Sequence, residues 1–496
     1  MSEMRRKIKW LAWALLLALL SCRPGHRVQE VLYLSLEDDI ITLDPHLHDD
    51  SITHSVLFNI FDPLVCFDEQ MRVTPALAIS WENPDDLTWR FHLRPGVRFH
   101  DGAPCLAADV VYSLNRARKL EVGHYLSQVK QIIEVDSLTV DIKTAKPAPV
   151  LLNKLTFIAI VPRKCPLPLT RPIGTGAYIF QNYRKGVSLS LAANRDYWGG
   201  MPAVLQAVFR VLPEDGERLQ ALLAGRIYLA RDMEGEAKQR IMADPSLQYL
   251  SRSGLGVTHL GINIRNGGPL SDRRVRQAIY WALDPAEIVA RSGMEAEPSN
   301  QLLSPYVVGY LPQADIVRPD LKKAKELMRR AGYGRGFQTT LELSTSAAAS
   351  SGPIIAKQLE RIGIKVKLVG QEWTGFAQRL KQQQSPFYLV GWACSSGDAS
   401  DLYDACLHTK AEAGYGFANH AGYSNPVVDR LIEQSNQTLN QKERIEILHR
   451  IQRLAMEDMP LIPLYIRNRG YGINKKIKFT PRQDARVRLV EISWAE

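Results

Sequence analysis

The chain has 496 residues, of which 45% are hydrophobic and 23% charged, and carries a formal net charge of +10. Such a length and apolar content give enough material for a large core divided between two or more lobes, and exclude a disordered or fibrous chain. The 62 basic and 52 acidic residues are interspersed, with no basic run past residue 9, so the charge describes a mixed solvated surface that favours anionic ligands or a membrane surface, not a nucleic-acid face.

In chain order, Arg5, Arg6, Lys7 and Lys9 precede an apolar run from Trp10 to Leu20, and Ser21-Cys22 follows. This is the layout of an export signal. The run is too short to span a hydrocarbon layer that takes about 20 helical residues. Leu19-Leu20-Ser21-Cys22 resembles the lipobox of bacterial lipoproteins, whose cysteine takes a diacylglyceryl group and becomes the new N-terminus. Leu20 departs from the small or β-branched residue usual there, and an ordinary secretory peptide is the alternative. Either way the body of the protein is expected outside the cytoplasm.

Val31-Leu32-Tyr33-Leu34 reads as a strand, and Pro45 in Leu43-Asp44-Pro45-His46 forces an extended turn. Trp89, Phe91 and Leu93 alternate with Arg90, His92 and Arg94, the period of a strand with one buried and one wet face, before Pro95-Gly96 turns the chain. A helix then sets Val110, Leu114 and Ala117 on one stripe. Pro and Gly punctuation from Pro162 to Gly176 marks a boundary between lobes, with a weaker one near Gly254 to Pro269. Further on, Val275, Ala278, Ile279, Ala282 and Leu283 form one helical face, and Asp284-Pro285-Ala286-Glu287 reads as a new N-cap with Glu287 closing a capping box. Strands at 340–343, 365–369 and 388–392 alternate with helices around 354–362 and 374–382, which predicts a βαβ lobe. Two late helices are expected near 427–435 and 442–457.

No enzyme signature is present: GxSxG, GxxxxGK[ST] and HExxH are all missing, so the chain is read as not an enzyme and as needing no cofactor. His46, His48 and His54 beside Asp49 and Asp50 have the composition of a metal site, but they read as a solvent-facing polar turn leading into a helix, and no metal is expected. Of the five cysteines after Cys22, Cys394 and Cys406 could form a bridge in an oxidising compartment.

Several segments, taken together and in order, carry a resemblance. They include Val73-Thr74-Pro75-Ala76-Leu77-Ala78, the run from Trp89 to Gly102, Gly174-Thr175-Gly176-Ala177-Tyr178, Asn194-Arg195-Asp196-Tyr197-Trp198, Gly391-Trp392 and the stretch from Met459 to Tyr465. The chain resembles the family 5 extracytoplasmic solute-binding proteins, which include oligopeptide-, dipeptide- and nickel-binding receptors of ABC importers. The resemblance implies an α/β fold: a two-lobed periplasmic-binding-protein fold of class II, with a hinged cleft and an extra inserted α/β domain. It assigns 1–22 to the signal peptide, 23–50, 173–265 and 473–496 to the first lobe, 51–172 to the extra domain, and 266–472 to the second lobe. The implied activity is capture of a peptide by a monomer in the periplasm or at the cell surface, lipid-anchored at Cys22, and delivery to the membrane permease of an ABC importer. A nickel chelate, an opine or an oligosaccharide is the alternative ligand, and a peptide-signal receptor without import the alternative role.

Peptide binders of this kind hold the ligand as an added strand. The matching segments are Asp39-Ile40 and Gly391-Trp392-Ala393, with Trp392 either an aromatic wall or a core residue closing its strand, and a loop around Arg231-Asp232-Met233 is also expected to face the cleft. Three residues after Trp392, where such receptors often carry an aspartate for the peptide's α-ammonium, stands Ser395, a hydroxyl without charge. Asp398 or Asp401 either replaces that charge or lies in a solvated turn.

Overall fold

The computed structural model describes residues 31–165, 168–312, 319–411 and 414–495, so the leader and its Cys22 lie outside the described residues. Leu32–Leu36 is the expected strand, and its three leucines are buried. The alternation at 89–93 becomes Thr88–Leu93, a central strand of a four-stranded antiparallel sheet, with Trp89, Phe91 and Leu93 turned inward. Helix Ala107–Ala117 lays Val110, Leu114 and Ala117 against the same core. Burial of each larger apolar side chain there contributes about 1.5–3 kcal/mol, which is why the stripe predicts the helix's inner face.

In the second half, helix Arg273–Ala282 buries the predicted face against Leu260, Leu341 and Ile355. Asp284 does cap Pro285–Ser292, accepting from the backbone N–H groups of Ala286 and Glu287. The expected capping box does not close. The Glu287 carboxylate accepts from Arg291, Arg361 and Gln358 instead, because guanidinium and amide donors within reach compete successfully with one backbone N–H. The Asp284 N–H is met by Gln358 Oε1 at 2.9 Å. Strands Phe337–Ser344, Ile364–Gln371 and Phe387–Ala393 run parallel, with helices between them, as the βαβ pattern requires.

Two long antiparallel strands, Leu247–Ile262 and Leu461–Asn474, join the lobes. Residues 247–253 pair with 468–474, which in turn pair with Leu229–Arg231 of the first lobe. Register is lost between Ser253 and Val257, and residues 256–262 then pair with Phe387–Ala393 of the second lobe. Among the described residues one eleven-stranded sheet therefore runs through both lobes. Gly254-Leu255-Gly256 lies at the break. A division at residue 265 falls beyond the point where this strand has already entered the second lobe, because one strand serves both.

The helix Ser51–Leu57 sends Val56 and Leu57 into the first-lobe core with Leu32, Leu34 and Phe209. Where the inserted segment meets that lobe, Gly174 and Gly176 pass so close to Ile60 that an added Cβ would lie 2.0 and 2.6 Å from its carbonyl oxygen. Gly176 N–H donates to that oxygen at 2.8 Å, and Thr175 Oγ1 donates to buried Asp62 at 2.9 Å. Gly174→Ala must push the backbones apart, and a loss of roughly 2 kcal/mol is expected. An unchanged urea midpoint for the variant would refute this reading of the motif.

Candidate functional site

A cavity of about 850 Å³ opens where the two joining strands cross. Its floor includes Gly254-Leu255-Gly256 and Arg467 to Arg469, and one wall is the strand end Gly391-Trp392-Ala393 with Ser395. Facing them are Arg231, Asp232 and Glu234 of the first lobe and the loop 482–486. A further wall is aromatic: Tyr125 stacks on Phe157 at 4.5 Å, and the Arg486 guanidinium lies 4.9 Å from the Phe157 ring. Tyr125 donates to Asp49 at 2.8 Å, and burial, then the neighbouring Asp49 carboxylate, pushes the phenol well above its usual range.

Trp392 is half-buried, with its indole N–H donating to the Asp401 carbonyl at 2.9 Å and its ring 6.0 Å from the exposed ring of Phe417. That bond holds the ring beside the cavity. Behind Gly391 and Trp392 a smaller pocket of about 200 Å³ opens, lined by apolar groups including Trp373, Leu380 and Val390. On the side away from Leu247–Ile262, Phe387–Ala393 pairs among the described residues only at Tyr388, so the backbone of 391–393 has an open edge there.

The charges lining the cavity are largely paired. Asp484 accepts from Arg482 at 3.0 Å and lies 3.8 Å from Arg486, and against its burial these two cations hold its carboxyl below the usual range. Glu234 meets Arg467 at 3.1 Å, and burial raises its carboxyl. Polar atoms without a partner among the described residues gather around the same space: Ser253 Oγ, Asn468 Oδ1, both amide atoms of Gln483, and Nε and Nη1 of Arg231. A buried polar atom left unmet costs about 1–3 kcal/mol, so this concentration marks a surface shaped for polar contact with something else.

Of the residues singled out in the sequence, Asp232, Gly391, Trp392, Ala393 and Ser395 line the cavity together. Asp232 has φ 56°, a left-handed conformation that aspartate tolerates, and lies 3.3 Å from Arg469 Nε. Three others lie elsewhere. Asp39 accepts from Tyr183 O–H and from Gly186 N–H, so it braces the hairpin between Tyr178–Arg184 and Ser188–Ala193. Ile40 is core. Asp398 is 3% exposed and forms a two-armed ion pair with Arg444 at 2.7 Å, so it is neither a solvated turn nor a cavity charge. Asp401 turns its carboxylate to Ser396 N–H at 2.8 Å, and burial raises it to about 6.

The histidines also depart from expectation. His46, His48 and His54 are buried, because Asp50 caps Ser51–Leu57 and draws that helix onto the core. His46 Nε2 lies 2.8 Å from the Ala159 carbonyl, and His54 stacks on Phe58 at 3.7 Å. Cys394 and Cys406 are free buried thiols. Sequence reasoning placed Arg231 beside Asp232 in a loop facing the cleft, but missed Arg252, Arg467, Arg469 and Gln483.

The description "Bacterial extracellular solute-binding proteins, family 5 Middle" matches residues 72–414. Heme-binding protein A of Haemophilus influenzae is 28% identical over 435 residues, 79% of this chain and 78% of its own length. Di/tripeptide-binding protein 2 of Pseudomonas aeruginosa is 28% identical over 436 residues, 79% of this chain and 81% of its own. The solved structure of HbpA2 from Haemophilus parasuis superposes with a TM-score of 0.83 at 25% identity, covering 94% of this chain and 100% of that one.

Proposed function

Because the chain belongs to the bacterial extracellular solute-binding proteins of family 5, we propose that it captures a peptide in the cavity between its lobes and presents it to the permease of an ABC importer. The observation that carries this reading is the open strand edge at 391–393, set beside Trp392 in a cavity ringed by unmet polar atoms. An extended peptide adds to such an edge through its backbone. Asp232, Trp392 and Ser395 are the proposed contacts, and contacts to both lobes favour the closed form that a permease recognises. The di/tripeptide-binding relative supports the choice of ligand. In this reading the protein acts as a monomer without catalysis, tethered by lipid at Cys22, and its first lobe, extra domain and second lobe have the bounds given above, except that the strand Leu247–Ile262 serves both lobes and the helix Ser51–Leu57 belongs with the first.

Mass spectrometry of what copurifies with the chain tests the ligand. Short mixed peptides support the reading, and an opine, sugar or metal chelate replaces the peptide. Trp392→Ala is expected to weaken peptide binding by roughly tenfold, the effect of removing an aromatic anchor of about 1.4 kcal/mol, with an unchanged melting temperature. Equal affinity of the variant and the parent, measured by calorimetry, would remove Trp392 from the site.

A further inference from the structure

Basic side chains gather at the end of the first lobe where the described chain begins. The strand Leu32–Leu36 runs parallel to Leu229–Arg231, whose last residue lines the cavity, so Leu32 lies at the end away from it. Leu461–Asn474, antiparallel to Leu229–Arg231, finishes at the same end. There Asn474 N–H donates to the Tyr228 carbonyl at 2.8 Å, and Tyr228 N–H to that of Tyr33 at 2.7 Å. Lys475 and Lys476 turn the chain, and Lys478 follows on the short strand Ile477–Lys478, paired with Ser493–Trp494. Arg226 stands two residues before Tyr228. Arg240 comes from the last turn of the helix Gly235–Ala243, whose continuation meets Lys475 through a 2.9 Å bond from its N–H to the Ser246 carbonyl.

All five cations are exposed, and none has a carboxylate at ion-pair distance among the described residues. Lys475 Nζ reaches only the Pro245 carbonyl, at 2.7 Å. The acid beside it, Asp244, is taken up by the N–H and O–H of Ser246. Exposed arginines elsewhere do find carboxylates: Arg274 meets Asp272, Arg291 meets Glu287 and Arg329 meets Glu326. In the same helix turn Met242 is 65% exposed, an apolar group among unpaired cations. Eight residues separate Cys22 from Val31, a reach of about 30 Å at full extension, and they add Arg23 and Arg27 against Glu30. A lipid on Cys22 therefore keeps this end of the first lobe within that distance of a bilayer. Each Lys or Arg held near an anionic surface strengthens association by about fivefold.

We infer that the face formed by Arg226, Arg240, Lys475, Lys476 and Lys478 seats on the anionic headgroups of the membrane that holds the lipid anchor. This deepens the tether reading and rests on it. The acyl chains keep the protein at the membrane; the basic face sets its pose, with Met242 entering the headgroup layer and the cavity at the far end of the strands open to solvent.

Cosedimentation with vesicles tests the face on residues 23–496, which keep every described residue and carry no lipid. The parent is expected to bind vesicles of about one-third phosphatidylglycerol in phosphatidylcholine roughly tenfold or more tighter than pure phosphatidylcholine, an advantage that added salt removes. Lys475→Gln with Lys476→Gln and Lys478→Gln is expected to weaken binding to the anionic vesicles by roughly tenfold or more at an unchanged melting temperature, and Arg226→Gln with Arg240→Gln by about fivefold or more. A control triple, Lys322→Gln with Lys325→Gln and Arg330→Gln, removes the same charge from the second-lobe helix Leu321–Arg330 and is expected to stay within about twofold of the parent. Equal binding of the parent to both vesicles, or a loss in the control as large as in the lysine triple, overturns the inference. Should the lysine triple melt early, the arginine pair decides, and a loss no greater than the control's overturns it. The mass of the chain extracted from its own membrane reads the anchor separately. An unmodified Cys22 overturns the inference through the tether it rests on, whereas equal vesicle binding overturns it with the tether intact.

Discussion

Arg444→Met is expected to lower the unfolding free energy by about 3–5 kcal/mol, because it leaves the Asp398 carboxylate buried without its cation. Arg444 is 1% and Asp398 3% exposed, and their two arms are both 2.7 Å long. Against the burial of Asp398, Arg444 holds that carboxyl below its usual range, and the Ser400 N–H adds a 2.9 Å bond. Once the guanidinium is gone, the carboxylate must take up a proton or draw in water. Arg444 Nε also donates to the Ser435 carbonyl, so the helix Pro426–Ser435 loses one polar link to Gln441–Asp458 at the same point, though their apolar packing remains. The double variant Asp398→Leu with Arg444→Met is expected to recover most of the loss, since apolar replacement of a whole buried pair is often neutral. Urea denaturation of parent, single and double variants reads both effects. A single variant within 1 kcal/mol of the parent would show that the pair is not desolvated.

The same pair shows where the sequence stops being legible. Helices and strands whose apolar residues repeat locally, such as Thr88–Leu93 and Arg273–Ala282, follow from spacing alone. The role of Asp398 does not, because the residue that neutralises it stands 46 positions later, on the helix Gln441–Asp458. Polar loops rich in Asp, Ser and Gly read as solvated turns, and nothing local to 397–401 announces burial. The histidines near residue 50 mislead for the same reason: a capped helix drawn onto the core carries its polar neighbours inside. Gly391, Trp392 and Ser395 were legible as a motif, whereas Arg252 and Arg469 come together only through the pairing of residues 247–253 with 468–474. Long-range register of that kind leaves no periodic trace.

Titration of the buried groups sets the second large effect. Burial holds His46 and His259 down at about 4, and His54 well below its usual range. As pH falls from 6.5, the unfolded chain takes up protons at these rings before the folded one does. Their contribution is therefore full above pH 6.5 and lost toward pH 4, at about 3 kcal/mol for each shift of roughly 2.5 units. Asp401 and Asp404 act in the opposite sense. Burial raises both to about 6, so between the unfolded value of 3.8 and pH 6 the folded form keeps protons that the unfolded form has released. Their contribution is present at low pH and lost as pH rises through that window, by roughly 1–3 kcal/mol each given the solvent the two side chains still see. In the parent the two sets partly cancel between pH 6.5 and 4, and Asp401→Asn unmasks the histidines. The variant keeps an acceptor for the Ser396 N–H, and is expected to be about 1–3 kcal/mol more stable than the parent at pH 7 but no more stable at pH 4. Its stability thus falls more steeply on acidification. Urea midpoints at pH 7, 5.5 and 4 read the difference. A gain of equal size at all three pH values would mean that Asp401 does not titrate in this window, and the slope would then belong to the histidines and Asp404.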